Sequence, residues 1–404
     1  MESWSSSERQ ELSRPSRRLV LAAATALPLA GAGTGTAHAG AQPRGLSVRG
    51  ADISFTLQEE AVGNQVRDLH GRVRPIERIL RAYGGTHVRL RVWTDPPPGY
   101  SDLDSALELG RRAHRAGLRI LLNLHYSDFW ADPGKQPTPV AWRGQDLPTL
   151  AETVRRYTRE VVAAFVRQRT PVDMIQIGNE ITSGMLHPVG ELYPTDGRPP
   201  QWSAFTTLLK AGITGAREGA PRAHRPRVML HIDRGGDNGG ARWFFDHMVE
   251  FGVPFDIIGL SYYPIWHGPL VALQSNLHDL AARYDKDIVV VETAYPWTTE
   301  NGDELTNFYT GEVPLPDEAT YPPTPQGQAG YFEALREILL GVPRGRGLGF
   351  FDFEPGWLPG VGWEPGAGTP NDNLTMFDFE GYGLPSLHAF RPPHARGNRA
   401  GVPS

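Results

Sequence analysis

The chain has 404 residues, a formal net charge of −5 and no cysteine. Disulfides and thiolate chemistry are excluded, and no basic stripe offers itself to nucleic acid or to an anionic membrane surface. Ten tryptophans and thirteen tyrosines are the conspicuous feature, and their positions matter more than their number.

The first 39 residues read as an address. Ser16-Arg17-Arg18 opens a small-residue apolar stretch from Leu19 to Ala32, and Ala37-His38-Ala39 follows. A charged start, a modest apolar segment and an Ala-x-Ala site make a cleavable export signal over 1–39. The paired arginines give it a twin-arginine character, with an ordinary secretory signal as the alternative. The stretch falls short of the roughly 20 apolar residues of a membrane span. A secreted, extracellular, soluble protein is expected, and a monomer, because no large apolar face stands out beyond the predicted cleft.

Eight short apolar runs come next: Leu46–Ser54, Thr86–Trp93, Leu118–Tyr126, Asp173–Glu180, Arg227–Asp233, Phe255–Tyr263, Asp287–Tyr295 and Gly347–Pro355. Their β-branched content suits strands buried on both faces. Amphipathic segments at helical period lie between most of them, at Ser105–Gly117, Leu150–Gln168, Leu270–Asp285 and Ala329–Val342. Alternating strands and helices imply parallel strands with right-handed crossovers, and eight such units close a barrel. The predicted fold class is therefore α/β, a single (β/α)8 TIM barrel with extended βα-loops spanning 40–390. Gly311–Gly327 is a long loop after the seventh strand, and 391–404 is a Pro/Gly/Arg-rich tail expected to be disordered.

In such a barrel the site forms where the strands end, and polar and aromatic residues crowd those ends. The second run supplies Arg91 and Trp93, the third His125, Asp128 and Trp130, the fourth Asn179 and Glu180, and the fifth His231 and Asp233. Tyr262, Tyr263 and Trp266 follow the sixth, Glu292, Tyr295 and Trp297 the seventh, and Glu354 and Trp357 the eighth. Glu180 and Glu292 close strands too apolar to hold an unpaired charge as filling. A pair of carboxylates at neighbouring mouths is what retaining glycoside hydrolysis uses, as proton donor and nucleophile. Residue order alone does not say which is the acid. Arg89 or Arg91 can hold Glu292 ionised, with a hydroxyl from Tyr262 or Tyr263, and side-chain alternation is taken to let only one arginine point inward. Tryptophans at the loops, Trp142 and Trp363 among them, suit the C–H faces of sugar rings.

Together these stretches resemble glycoside hydrolase family 53, the arabinogalactan endo-β-1,4-galactanases. The resemblance rests on Gly50-Ala-Asp-Ile-Ser54, Val88-Arg-Leu-Arg-Val-Trp93 and His125-Tyr-Ser-Asp-Phe-Trp-Ala-Asp-Pro133. It continues through Gln176-Ile-Gly-Asn-Glu-Ile181, Gly259-Leu-Ser-Tyr-Tyr-Pro264 and Val291-Glu-Thr-Ala-Tyr-Pro-Trp297. It implies a double displacement on galactan or type I arabinogalactan, with Glu180 as acid/base, Glu292 as nucleophile and no cofactor in the reaction. It also implies a structural calcium between the seventh and eighth loops, held by Asn301, Asp303, Asn307 and Asp372, with Leu305 where the family offers a further ligand. Phe353 and His187 stand where the family carries tryptophans, and Asn123 where it carries aspartate. Those departures keep open a β-glycanase of the same clan acting on mannan, xylan or short oligosaccharides, and a catalytically inactive glycan-binding protein.

Overall fold

The computed structural model describes residues 45–392. The predicted leader over 1–39 and all of the predicted tail beyond Pro392 lie outside the described residues. Eight parallel strands close a barrel: β1 (Val48–Asp52), β2 (His87–Val92), β3 (Arg119–Leu124), β4 (Met174–Ile177), β5 (Arg227–Ile232), β6 (Ile257–Ser261), β7 (Asp287–Thr293) and β8 (Gly347–Asp352). Each pairs with its sequence neighbours, and β8 returns to β1 through Ala51 opposite Asp352. All eight predicted strands are present, and each falls within its predicted run. The predicted helices are present as Leu103–Ala116, Leu147–Arg167, Leu270–Tyr284 and Pro325–Leu340. Trp202–Glu218 and Asn238–Glu250 are two further helices. After β8 the chain makes a six-residue 3₁₀ turn, Pro385–Phe390, where an ideal barrel has its eighth helix.

Local chemistry sets the helix ends. Asp102, Asp146 and Thr324 each accept a backbone N–H of the first turn, and Gly117 ends Leu103–Ala116 in the left-handed region at φ 79°. Both are ordinary helix boundaries.

Inside the barrel, the lower layer is apolar: Val48, Leu121, Met174, Met229, Ile257, Val289, Val291 and Phe351 pack against one another. A Cβ on Gly50 would lie 2.3 Å from the Phe351 ring, so only glycine lets that ring fill the bore. Above this plug the inward positions turn polar, which puts the chemistry at the strand exits.

Two details of register decide what points in. Arg89 and Arg91 both do, contrary to the sequence expectation that only one could. Residues two apart on a strand share a face, and the register opposite β3 is unbroken. On β7 the pairing slips between Leu260 opposite Val290 and Ser261 opposite Glu292. This bulge lets the consecutive Val291 and Glu292 both face the interior, the first in the plug and the second in the cleft.

Candidate active site

A cleft of about 380 Å³ opens at the strand exits. Its floor is an ionic and hydrogen-bonded lattice centred on Arg89, which is fully buried. The guanidinium donates to Asp52 at 2.7 Å, to Glu292 Oε1 at 2.6 Å, to Asn179 Oδ1 at 2.8 Å and to Gln176 Oε1 at 3.3 Å. The second oxygen of Glu292 accepts from the Tyr263 hydroxyl at 3.2 Å. Charge-assisted bonds of this kind fix a carboxylate in direction as well as in charge.

Glu180 sits opposite, partly open to the cleft. Its backbone is left-handed, φ 46° and ψ 52°, and follows Gly178 at φ 80°. Glu180 Oε1 accepts from Ser261 Oγ at 2.6 Å, and that serine is paired with His231 Nε2 at 2.8 Å. Asn179 is locked: its oxygen takes bonds from Arg89, Gln176 and Asn123, and its Nδ2 donates to the Ala131 carbonyl. A ligating atom of Glu180, one of His231 and one of Glu292 all lie within 4.8 Å of one another. The two carboxylates thus face each other across the cleft at a separation that matches the roughly 5–5.5 Å of a retaining pair.

Their protonation differs. Desolvation pushes Glu180 well above the usual carboxylate range, and the charges of Glu292, Asp233 and Asp132 add to it. Desolvation also raises Glu292, but there Arg89 pulls in the opposite direction. Both carboxyls are thus pushed up by burial, Glu180 the further of the two, and only Glu292 has a cation beside it to favour its charged form.

Aromatic rings wall the cleft. Trp130 and Trp363 stack at 4.1 Å with planes 10° apart, and Phe308 meets Trp363 edge-on at 5.6 Å. Trp266, 53% exposed, stands edge-on to Phe308 at 5.2 Å. These faces suit the C–H surface of pyranose rings.

The model of glycosyl hydrolase family 53 matches residues 48–390. The chain belongs to glycosyl hydrolase family 53. It is 42% identical over 85% of its length, and 93% of the relative's, to the "Uncharacterized protein in bgaB 5'region" of Niallia circulans. It is 36% identical to arabinogalactan endo-beta-1,4-galactanase A of Aspergillus niger, over 78% of this chain and 86% of that one. A solved GH53 catalytic domain from Ignisphaera aggregans superposes with a TM-score of 0.80 at 34% identity, over 85% of this chain and 95% of that one. The resemblance read from the sequence is thereby established, and the family 53 chain is a glycosidase.

Of the predicted site residues, Arg91, His125, Trp130, Asn179, Glu180, Asp233, Tyr263, Trp266 and Glu292 line the family 53 cleft. The others do not line this cleft, and the structure holds them by the following contacts. Trp93 is buried and donates its indole N–H to His125 at 3.2 Å, while Glu354 pairs with Arg91 at 2.9 Å beneath the floor. Trp357 is buried in a stack on Phe55, and His231 in its bond to Ser261. The hydroxyl of Tyr262 donates to the Gly268 carbonyl and that of Tyr295 to the Tyr321 carbonyl, both pointing into loops. Asp128 accepts from the Val140 amide, and Trp297 donates to the Asp372 carbonyl while packing on Phe379. His187, one of the two departures from the family's tryptophans, lies outside the cleft with Nε2 3.0 Å from the Ser183 carbonyl, whereas Phe353 does line it.

Residues that sequence reasoning passed over include Asp52, Asp132, Ser261 and Phe308. Asp52 was findable, because the inward face of β1 meets Arg89; Phe308 lies in a long loop with no periodic signal.

The four residues expected to hold calcium do meet, but not as an ion site. The Asp303 carboxylate already accepts from the backbone amides of Leu305, Gly360 and Thr369. Asp372 accepts from Gly302 N–H at 3.0 Å and from Asn307 Nδ2 at 2.7 Å, and Asn301 donates to the Leu305 carbonyl. Donors converge on both carboxylates, and of the four side chains only Asn307 leaves a buried oxygen, its Oδ1, without a partner among the described residues, one against the six or more oxygens a calcium ion needs. The seventh and eighth loops are clipped together by hydrogen bonds instead. EDTA is expected to leave the melting temperature of the family 53 chain unchanged; a drop reversed by added calcium would show the carboxylates turning to bind the ion.

Proposed function

We propose that this family 53 glycosidase is a secreted, endo-acting β-1,4-galactanase that works with retention of anomeric configuration. The observation that carries this is the Glu180–Glu292 pair, with oxygens within 4.8 Å across an aromatic cleft and only Glu292 bonded to a cation, Arg89. In the first step a Glu292 oxygen bonds to the anomeric carbon, the glycosidic C–O bond breaks, and Glu180 gives its proton to the departing oxygen. In the second, water attacks the same carbon, Glu180 takes its proton, and the Glu292 ester bond breaks. Arg89 and the Tyr263 hydroxyl aim Glu292 and stabilise it as the leaving carboxylate. The relatives' names supply the galactan, and residues 1–39 supply the export.

The deciding experiment follows linear β-1,4-galactan by reducing ends, product size and NMR of the first-formed anomer. A spread of oligosaccharides with β-anomers at first appearance is expected. Inversion, or galactan left intact while mannan or xylan is cut, would overturn the proposal. Phe353 favours keeping that second reading in the assay, because a phenyl ring on the cleft wall offers a sugar less stacking area than an indole.

A bell-shaped dependence of kcat/KM on pH is also expected. Glu180 must carry its proton, so activity falls as pH rises through its elevated pKa. Glu292 must be charged, so activity falls again as pH drops through its own. Both values are shifted up, so the bell should centre above the ordinary carboxylate range, and Glu180→Gln should remove its alkaline limb.

A further inference from the structure

The left-handed backbone that presents Glu180 is unfavourable for a residue with a Cβ, and such a conformation persists only when its surroundings fix it. Three buried side chains hold that turn: Gln176 Nε2 donates to the Gly178 carbonyl at 3.0 Å, His231 Nδ1 accepts from the Glu180 N–H at 3.3 Å, and Gln136 spans the two carbonyls that follow Gly178. Gln136, 2% exposed, comes from the loop after β3, not from β4 or its neighbours in the barrel floor. Its Nε2 lies 2.8 Å from the Asn179 carbonyl, 3.3 Å from the Glu180 carbonyl and 3.0 Å from the Asp132 carbonyl. A single amide nitrogen therefore ties together the backbone of three cleft residues. The tie is anchored in turn, since the Gln136 carbonyl accepts from the His187 N–H at 2.8 Å.

The consequences differ for the two carboxylates. Glu292 is aimed by its own side-chain bonds to Arg89 and Tyr263 and rides on a paired strand. Among the described residues the Glu180 carboxyl has one side-chain partner, Ser261, and it sits past the end of β4 in a turn outside the ladder. Its direction depends on its φ and ψ, and Gln136 is the side chain bonded to the carbonyls on both sides of the Asn179–Glu180 peptide step. Asp132, whose charge is one of those acting on Glu180, is placed by the same nitrogen.

We propose that Gln136 is a positioning residue for the proton donor: by clamping the Asn179 and Glu180 carbonyls it aims the Glu180 carboxyl at the glycosidic oxygen and leaves Glu292 unaffected. The proposal rests on the assignment of Glu180 as acid made above. It separates Gln136 from an ordinary loop tether, because a tether would affect every substrate alike, whereas a misaimed acid matters only when the leaving group needs a proton.

The test compares galactan with a dinitrophenyl glycoside of a short β-1,4-galacto-oligosaccharide, whose phenolate leaves the anomeric carbon under attack by Glu292 without needing an acid. Gln136→Leu keeps the volume and removes the donor. It is expected to lower kcat on galactan by about 10²-fold, the scale of a displaced catalytic group, while the rate of glycosylation from the dinitrophenyl substrate stays within about threefold. Equal loss on both substrates, or no loss on galactan, would overturn the proposal. Gln136→Met is the second variant if the leucine form does not fold; failure of both to fold assigns Gln136 to the scaffold and also overturns it. Glu180→Gln in parallel keeps the two readings apart. If that variant lacks the leaving-group split, the acid assignment fails; if it shows the split and the Gln136 variants do not, only the clamp fails.

Discussion

Replacing Glu292 with alanine is expected to lower kcat on galactan by roughly 10⁵-fold, the scale seen when a covalent nucleophile is removed. No neighbour can take its place. Asp52 is turned to Arg89 below the floor, and Asp233 lies on the Glu180 side, its Oδ1 engaged with Thr182. The fold should survive, because Arg89 keeps Asp52 at 2.7 Å and Asn179 at 2.8 Å, so the deletion does not strand its charge. The space vacated beside the anomeric carbon is accessible from the cleft. Azide should therefore restore part of the rate on an activated β-glycoside and yield the α-glycosyl azide, because it attacks from the face where Glu292 stood. Binding of oligosaccharide, measured by calorimetry, should persist, since the aromatic walls are untouched. Activity equal to the parent, or an azide product of β-configuration, would remove Glu292 from the nucleophile's role.

Why this residue is available at all is only partly written in the sequence. The eight strands were legible because each is a short β-branched run with a polar exit, and two-sided burial leaves no other use for such runs. The helix Asn238–Glu250 was not, because Gly239 and Gly240 in its first turn blur the start signal. Trp202–Glu218 mixes threonines and glycines into its apolar stripe in the same way. Within the site, the inward pair Arg89 and Arg91 follows from period two alone, yet Glu292 does not. Strict alternation from Val289 and Val291 would send it outward, and only the bulge opposite Ser261 turns it in. The aromatics were legible as a group but not one by one. Trp93 and Trp357 stand at strand exits as Trp130 does, and long-range packing on His125 and Phe55 decides that they support the cleft instead of facing it. Family motifs carried the four loop residues to one place, but not the backbone amides that occupy their oxygens.

Asp352→Asn is expected to stabilise the protein at neutral pH, with a gain that grows with pH and disappears in acid. Asp352 ends β8 on the outward face, opposite Thr293 and close to the helix Pro325–Leu340, fully buried. Neither of its carboxylate oxygens has a hydrogen-bond partner among the described residues. Burial alone pushes its pKa well above the carboxylate range, with no cation to oppose it. The native state therefore holds the proton at pH values where the unfolded chain has released it. Below the unfolded pKa, near 3.9, both states are protonated and the aspartate costs nothing through ionisation. Above it, stability falls by about 1.4 kcal/mol for each pH unit until the folded pKa is reached. Asparagine has nearly the same shape and cannot ionise, so the substitution isolates this linkage from packing. Melting curves of parent and variant should coincide near pH 4 and separate steadily towards pH 7, with the variant higher. Because the Asp352 side chain faces away from the cleft that the next residue, Phe353, lines, kcat/KM on galactan should not change. A constant offset between the curves at every pH would assign the effect to packing, and a variant less stable at pH 7 would show that the carboxylate has an ionic partner in solution.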